Sequence, residues 1–229
     1  MQLYIVRHAQ SSNNALADER LRVQDPPLTG LGWRQAELTA QYLLDALGRA
    51  GDEGATGPGI NRLFCSAMLR ALQTAQVIGR ALGLSPEVWV DLHEHGGIWL
   101  NHGDGRGIVG YGGITRAHLQ AAFPGYIIPD NLTDTGWWRG GHESVEACAT
   151  RAGRVAATLR AWTPDTDRIA IITHGDFTSY LLNALLGAPQ TTSFHQENCG
   201  IALVSFRGNA RLSIRYLNRL DHLPPEMIT

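Results

Sequence analysis

The stretch Leu3-Tyr4-Ile5-Val6-Arg7-His8-Ala9-Gln10-Ser11 decides how the fold is read. Four β-prone apolar residues give way at once to a guanidinium and an imidazole. Such a run predicts a buried strand that delivers two polar side chains at its C-terminal end. In open α/β sheets that edge is where ligands bind. Arginine beside histidine suits one task, holding a phosphoryl group while the imidazole attacks it. An isolated Arg-His pair is weak evidence, so the reading depends on what the rest of the chain supplies.

A second stretch repeats the pattern. Arg168-Ile169-Ala170-Ile171-Ile172-Thr173 is an apolar strand that ends in His174-Gly175-Asp176, with a helical period following. This places another imidazole at a strand end, next to a helix N-terminus whose free N–H groups and dipole favour an anion. Arg70 falls in the first turn of the helix that follows the strand ending at Cys65. Glu94 lies just past Val88-Trp89-Val90, where a partly buried carboxyl can hold a proton near neutral pH for a leaving oxygen.

Outward from these points the chain alternates strand and helix. Strands are expected at Leu3–Val6, Arg62–Cys65, Val88–Val90, Arg168–Thr173, Ala202–Phe206 and Leu212–Tyr216. Helices are expected at about Leu31–Leu47, Met68–Leu82, Ser144–Trp162 and Phe177–Leu186. The pattern predicts a three-layer α/β/α sandwich with a mostly parallel central sheet. Arg207-Gly208-Asn209-Ala210 reads as a hairpin turn, which makes the last pairing antiparallel. Gly51–Gly59 reads as a mobile surface loop. From about His95 to Gly141 the alternation fails; Gly and aromatic residues, including Trp99, Trp137 and Trp138, surround one short helix at Arg116–Ala122. A long irregular segment in a compact domain is usually functional, and this one is expected to cap the catalytic edge.

Composition sets the bounds. The 229 residues, 44% of them hydrophobic, suffice for one domain with an insertion. A net charge of -2 without basic blocks argues against nucleic-acid binding. All 19 cations are Arg, so no step can use a lysine Schiff base or lysine general base. Cys65, Cys148 and Cys199 are too few and too scattered for a disulfide framework or a zinc site. Neither a signal peptide nor an apolar span long enough for a membrane is visible, and a cytoplasmic location is expected. An unpaired edge near the terminal strands could support a homodimer.

Taken together, the motifs resemble those of the histidine phosphatase superfamily, also called the phosphoglycerate mutase-like family. Arg7-His8-Ala9-Gln10-Ser11-Ser12-Asn13-Asn14 is similar to its opening Arg-His-Gly-Glu-(Ser/Thr)-x-x-Asn. Pro27-Leu28-Thr29-Gly30-Leu31-Gly32-Trp33-Arg34-Gln35-Ala36 resembles its next motif. Ser66, Arg70, Thr74 and Ala75 match its Ser-x-x-x-Arg-x-x-x-Thr-Ala, Glu94 its acidic residue, and His174-Gly175 its second His-Gly. The matches run in family order from residue 3 to about 206.

The resemblance implies a phosphomonoesterase without cofactor or metal, acting on a small organic phosphate. His8 would form a phosphohistidine. Arg7, Arg70 and His174 would cradle the phosphoryl oxygens, with Ser11, Asn14 and the N–H of Gly175 adding donors. Glu94 would serve as general acid and then general base. Ala9 and Gln10 depart from the commoner Gly and Glu. The Lys-bearing motif of glycolytic mutases is missing, which counts against mutase activity and leaves phosphatase chemistry intact.

The residues also admit other readings. His93, Glu94, His95, His102 and Asp104 offer five metal-type ligands within twelve residues, although neighbours on a strand point to opposite faces. Gly105-Arg106-Gly107-Ile108-Val109-Gly110 satisfies the dinucleotide pattern but lacks its strand-turn-helix context. A non-catalytic phospho-ligand-binding protein could share the fold. In the cap, Arg106, Arg116 and Arg139 are candidate anion contacts and Trp99, Tyr111, Trp137 and Trp138 candidate apolar walls. His142-Glu143-Ser144 is expected to begin the following helix, with Glu143 or Ser144 capping it.

Overall fold

A computed structural model describes residues 1–48, 59–162, 167–207 and 211–229. The Gly51–Gly59 loop and the Gly208–Ala210 part of the hairpin turn fall almost wholly outside the described residues.

Strands β1 (Gln2–Arg7), β2 (Arg62–Cys65), β3 (Glu87–Val88), β6 (Arg168–Thr173), β7 (Ile201–Arg207) and β8 (Arg211–Arg219) form one sheet, ordered β3-β2-β6-β1-β7-β8. β1, β6, β2 and β3 pair in parallel, while β7 and β8 join antiparallel. β1 and β6 are apolar throughout because both faces are covered. Tyr4 and Val6 pack with Ala170 and Ile172 under α1 (Gly30–Gly48) and α2 (Leu69–Leu82). Leu3 and Ile5 pack with Ile169 and Ile171 under α4 (Val145–Ala161) and α5 (Gly175–Leu186). The three layers follow directly. Among the described residues no helix is long and apolar enough to cross a membrane.

The expected strand Val88–Val90 needs correction. Regular pairing stops at Val88, and Val90–Leu92 winds into a single 3-10 turn. Val88 N–H already bonds Ile127 O on the outer side, and Leu92 and His93 N–H turn back to Trp89 O and Val90 O. Local bonds thus replace the ladder and redirect the chain toward the catalytic edge.

Between Gly96 and Glu143 the chain builds the antiparallel pair β4 (Trp99–Asn101) and β5 (Ile108–Gly110), followed by α3 (Arg116–Ala122). β5 occupies the end of the would-be dinucleotide motif, and the next helix, α3, opens only at Arg116 rather than from the motif itself. Thr115 caps α3 by accepting His118 N–H. Gly136, at φ 89°, lies so close to Gly112 that a Cβ there would fall 2.0 Å from the Gly112 carbonyl oxygen. The contact leaves Gly112 O free to accept Trp137 N–H at 2.8 Å.

Gly32 has the same role near the site. A Cβ on Gly32 would stand 2.1 Å from Gln10 O, so only glycine lets α1 lie against the segment after His8. Gly32→Ala is expected to destabilise the protein by roughly 1–3 kcal/mol, the usual scale of overpacking, as read from urea denaturation midpoints. An unchanged midpoint would show that α1 does not need this approach.

Candidate active site

Pairing of β1 with β6 puts Arg7 opposite Thr173, so His8 and His174 leave the sheet side by side. His8 N–H bonds Thr173 O at 2.9 Å, and the two ring centroids are 5.0 Å apart. Next along the sheet, β2 ends at Cys65. Ser66 and Met68 then lead into α2, whose second residue is Arg70.

His8 is buried and its two ring nitrogens have different partners. Nδ1 lies 2.7 Å from Ala9 O, and a carbonyl can only accept, so Nδ1 carries the proton. Nε2 therefore presents its lone pair, which accepts from Arg70 Nε–H at 3.0 Å. Burial, then the charges of Arg70 and Arg7, hold the ring well below the ordinary imidazole value. The result is a neutral, oriented imidazole among cations. His174 is likewise depressed, first by burial and then by Arg70. Its Nε2 shares a 2.8 Å hydrogen bond with Ser66 Oγ, which also accepts Met68 N–H.

Two polar atoms here, Arg7 Nε and His174 Nδ1, are buried without a hydrogen-bond partner. Buried polar atoms are normally satisfied, so both stand out at this edge. Arg7 Nε can only donate, and His174 Nδ1 donates in the tautomer whose Nε2 accepts from Ser66 Oγ–H. Arg7 NH1 donates to Gln196 O at 2.6 Å, which fixes the guanidinium. Arg70 is anchored through its helix: Thr74 Oγ donates to Arg70 O and accepts Ala9 N–H.

Glu94 lies against the first turn of α5. Oε1 accepts from His95 N–H and Phe177 N–H, both at 2.9 Å, and Oε2 from Asp176 N–H at 3.4 Å. Burial, and next the Asp176 charge, raise its pKa above the usual carboxylate range against these donors and Arg70. The carboxyl thus retains a proton to higher pH than a free glutamate would. Gly175 begins the same helix beside it.

Asn14 and Ser11 are close partners of each other. Asn14 Oδ1 accepts from Ser11 N–H at 3.1 Å and Ser11 Oγ–H at 2.8 Å. This directs the Asn14 carbonyl toward the backbone and leaves its amide group as the possible donor.

The cap arginines bond within the insertion. Arg106 is bidentate to Asp104 and Arg116 donates to Leu132 O and Pro129 O. Arg139 reaches Thr133 and Thr135. Each guanidinium satisfies acceptors of the insertion itself: a carboxylate for Arg106, hydroxyls for Arg139, and for Arg116 backbone carbonyls that an irregular segment leaves without ladder partners. The aromatic residues pack in the same way: Trp137 and Trp138 flank the His93 ring, Trp99 meets His142 edge-on, and Tyr111 bonds His102. The metal-type ligands do not converge. His93 Nδ1 bonds Glu94 O, His102 bonds Tyr111 and Arg106, and among the described residues no group of three or more His, Cys, Asp or Glu could hold an ion.

A family model described as histidine phosphatase superfamily (branch 1) matches residues 3–219. The chain therefore belongs to the histidine phosphatase superfamily, a catalytic family of phosphatases and mutases. A probable phosphoglycerate mutase, GpmB, of Yersinia pestis is 26% identical over 210 residues, 90% of this chain and 86% of that protein. The native structure of a mycobacterial glucosyl-3-phosphoglycerate phosphatase matches with TM-score 0.61 and 25% identity over 95% of this chain and 98% of that one. The alpha-ribazole phosphatase of Shigella flexneri, at 21% identity and TM-score 0.65 over 96% of each chain, shares the fold.

Sequence reasoning missed Asp25. It is largely buried, accepts Leu69 N–H at 3.0 Å and stands 3.9 Å from Arg70 NH1. Its only signal was its place just before Pro26-Pro27-Leu28-Thr29. Burial pushes its pKa up to about 6 from 3.8, against the pull of Arg70 and the Leu69 N–H. A carboxyl raised in the native state binds its proton more tightly there than when unfolded, so stability falls as pH rises between those two values. Asp25→Asn is expected to remove that part of the slope. Wild type and variant should diverge between about pH 4 and 6 in urea unfolding and run parallel above it. Parallel curves throughout would contradict the buried ionisation.

Proposed function

We propose that the protein is a phosphomonoesterase that hydrolyses a small organic phosphate through a phosphohistidine on His8. The supporting observation is the His8 ring itself: protonated at Nδ1, neutral, and offering its Nε2 lone pair beside a guanidinium. In the first step Nε2 attacks phosphorus, the P–O bond to the alcohol breaks, and the Glu94 proton passes to the leaving oxygen. The phosphoryl group takes over the Arg70 donor. Arg7, Arg70 and His174 hold the oxygens on which charge accumulates, with the Asn14 amide and the Gly175 N–H as further donors, while Ser11 spends both its donors on the Asn14 carbonyl and so orients that amide. In the second step the Glu94 carboxylate takes a proton from water, the new O–P bond forms, and the P–N bond breaks. His8 and protonated Glu94 are regenerated.

No metal enters this scheme, because the cations that offset the phosphoryl charge are side chains. A mutase reading is favoured by the GpmB similarity. The two readings differ only in whether water or a second hydroxyl takes the phosphoryl group. A chain with no lysine lacks one cation class for holding a carboxylated acceptor, which favours water.

His8→Ala is expected to abolish turnover of p-nitrophenyl phosphate in the presence of EDTA, where the wild type remains active. Glu94→Gln should lower kcat/KM, which reports the first step alone, by about 10²–10⁴-fold for alkyl phosphates and far less for aryl phosphates, since there only the alkoxide needs the proton. The wild-type alkyl rate should decline at high pH as Glu94 loses its proton. Exchange between 3- and 2-phosphoglycerate that outpaced phosphate release would replace hydrolysis by transfer.

A further inference from the structure

Glu94 is carried on a short turn between β3 and the insertion, and the backbone before it is held from an unexpected direction. Arg151, in the middle of α4, donates through NH1 to Asp91 O at 2.7 Å and to His93 O at 2.9 Å. The carbonyl between them, Leu92 O, accepts Thr173 Oγ–H at 2.8 Å. Three consecutive carbonyls leading to Glu94 are therefore tied to α4 and to the end of β6.

The rest of the Arg151 guanidinium faces Glu143. Nε donates to Oε1 at 2.9 Å and NH2 to Oε2 at 2.6 Å, with Cys148 Sγ 3.5 Å from NH2. All five N–H donors are thereby used. The two side chains are only 3% and 7% exposed. Glu143 stands where the insertion returns to α4, just before the Ser144 cap, and its own N–H bonds Gly96 O, near the insertion's start, at 3.1 Å. The guanidinium also lies 4.3 Å from the centre of the Phe177 ring, and Phe177 N–H binds the Glu94 carboxylate.

A buried ion pair is poor evidence of stabilisation, since desolvating both charges offsets most of their attraction. The placement of this pair suggests another purpose. It joins both feet of the insertion, the turn bearing the acid, and the helix start that receives the acid's carboxylate. We infer that Arg151 and Glu143 are positioning residues, a clasp that closes the neck of the insertion and aims Glu94 at the leaving oxygen. The inference rests on Glu94 being the general acid. Lysine cannot replace this arginine, because an ammonium has no planar fork to span a carboxylate and two carbonyls together.

The test uses Arg151→Met in the full chain, with two measurements. The first is the ratio of kcat/KM for an alkyl phosphate to kcat/KM for p-nitrophenyl phosphate, which leaves out the hydrolysis of the phosphohistidine common to both. The alkyl rate should fall about 100-fold while the aryl rate stays within about threefold, and Arg151→Lys should fall between. The second is amide exchange at His95 and Phe177, whose N–H groups the Glu94 carboxylate holds. Exchange there should quicken while that of β6 does not change. Where Arg151→Met does not fold, Arg151→Lys and Glu143→Gln give the same two readouts. Equal slowing of both esters in a folded variant overturns the inference. Should Glu94→Gln itself slow both esters alike, the acid role of Glu94 falls; faster exchange in the Arg151 variant then still sustains the clasp, and unchanged exchange ends it.

Discussion

The parallel register of β1 against β6 sets Arg7 opposite Thr173, and nearly everything at the catalytic edge depends on that pairing. A shift of one residue would reverse every side chain between the two faces of the sheet. His8 and His174 would then no longer emerge together. The register is firmly set because both strands are buried on both faces, with Leu3, Ile5, Ile169 and Ile171 locked on one side and Tyr4, Val6, Ala170 and Ile172 on the other. The core therefore acts as the alignment device for the chemistry above it.

On that frame the site gathers more positive charge than a buried region normally tolerates. Arg7 and Arg70 are both depressed by burial, and their charges help keep His8 neutral. Carboxylates offset part of this: Asp25 beside Arg70, and Glu94 on the start of α5. The arrangement is electrostatically unsaturated, with Arg7 Nε and His174 Nδ1 still without partners. Such preorganised donors favour a ligand that carries its charge on several oxygens, because they need not reorient when the charge develops.

Much of the architecture could be read along the chain. Apolar runs ending in His8 and His174 stated where the strands ended, and the helical periods located α1, α2, α4 and α5 to within a residue or two. Ser144 caps α4 as its position suggested. The strand after Pro86 was overestimated because β propensity at Val88-Trp89-Val90 is local, whereas the bond from Val88 N–H to Ile127 O comes from a remote segment. Glu143 looked like a capping acid from its neighbours, and nothing in the spacing indicated that it pairs with Arg151.

The sequence by itself determined the strand and helix periods, the residue types of the site, and their order. These are properties of neighbouring residues, set by side-chain sterics and by burial pattern. Tertiary structure alone decided which nitrogen of His8 carries the proton, since that follows from Ala9 O and Arg70 closing on opposite sides of the ring. It also decided that the cap arginines serve acceptors of the cap itself, and that Asp25 and Arg151 lie beneath the site. Each of these depends on distances between segments far apart in the chain, and such distances exist only once the layers have packed.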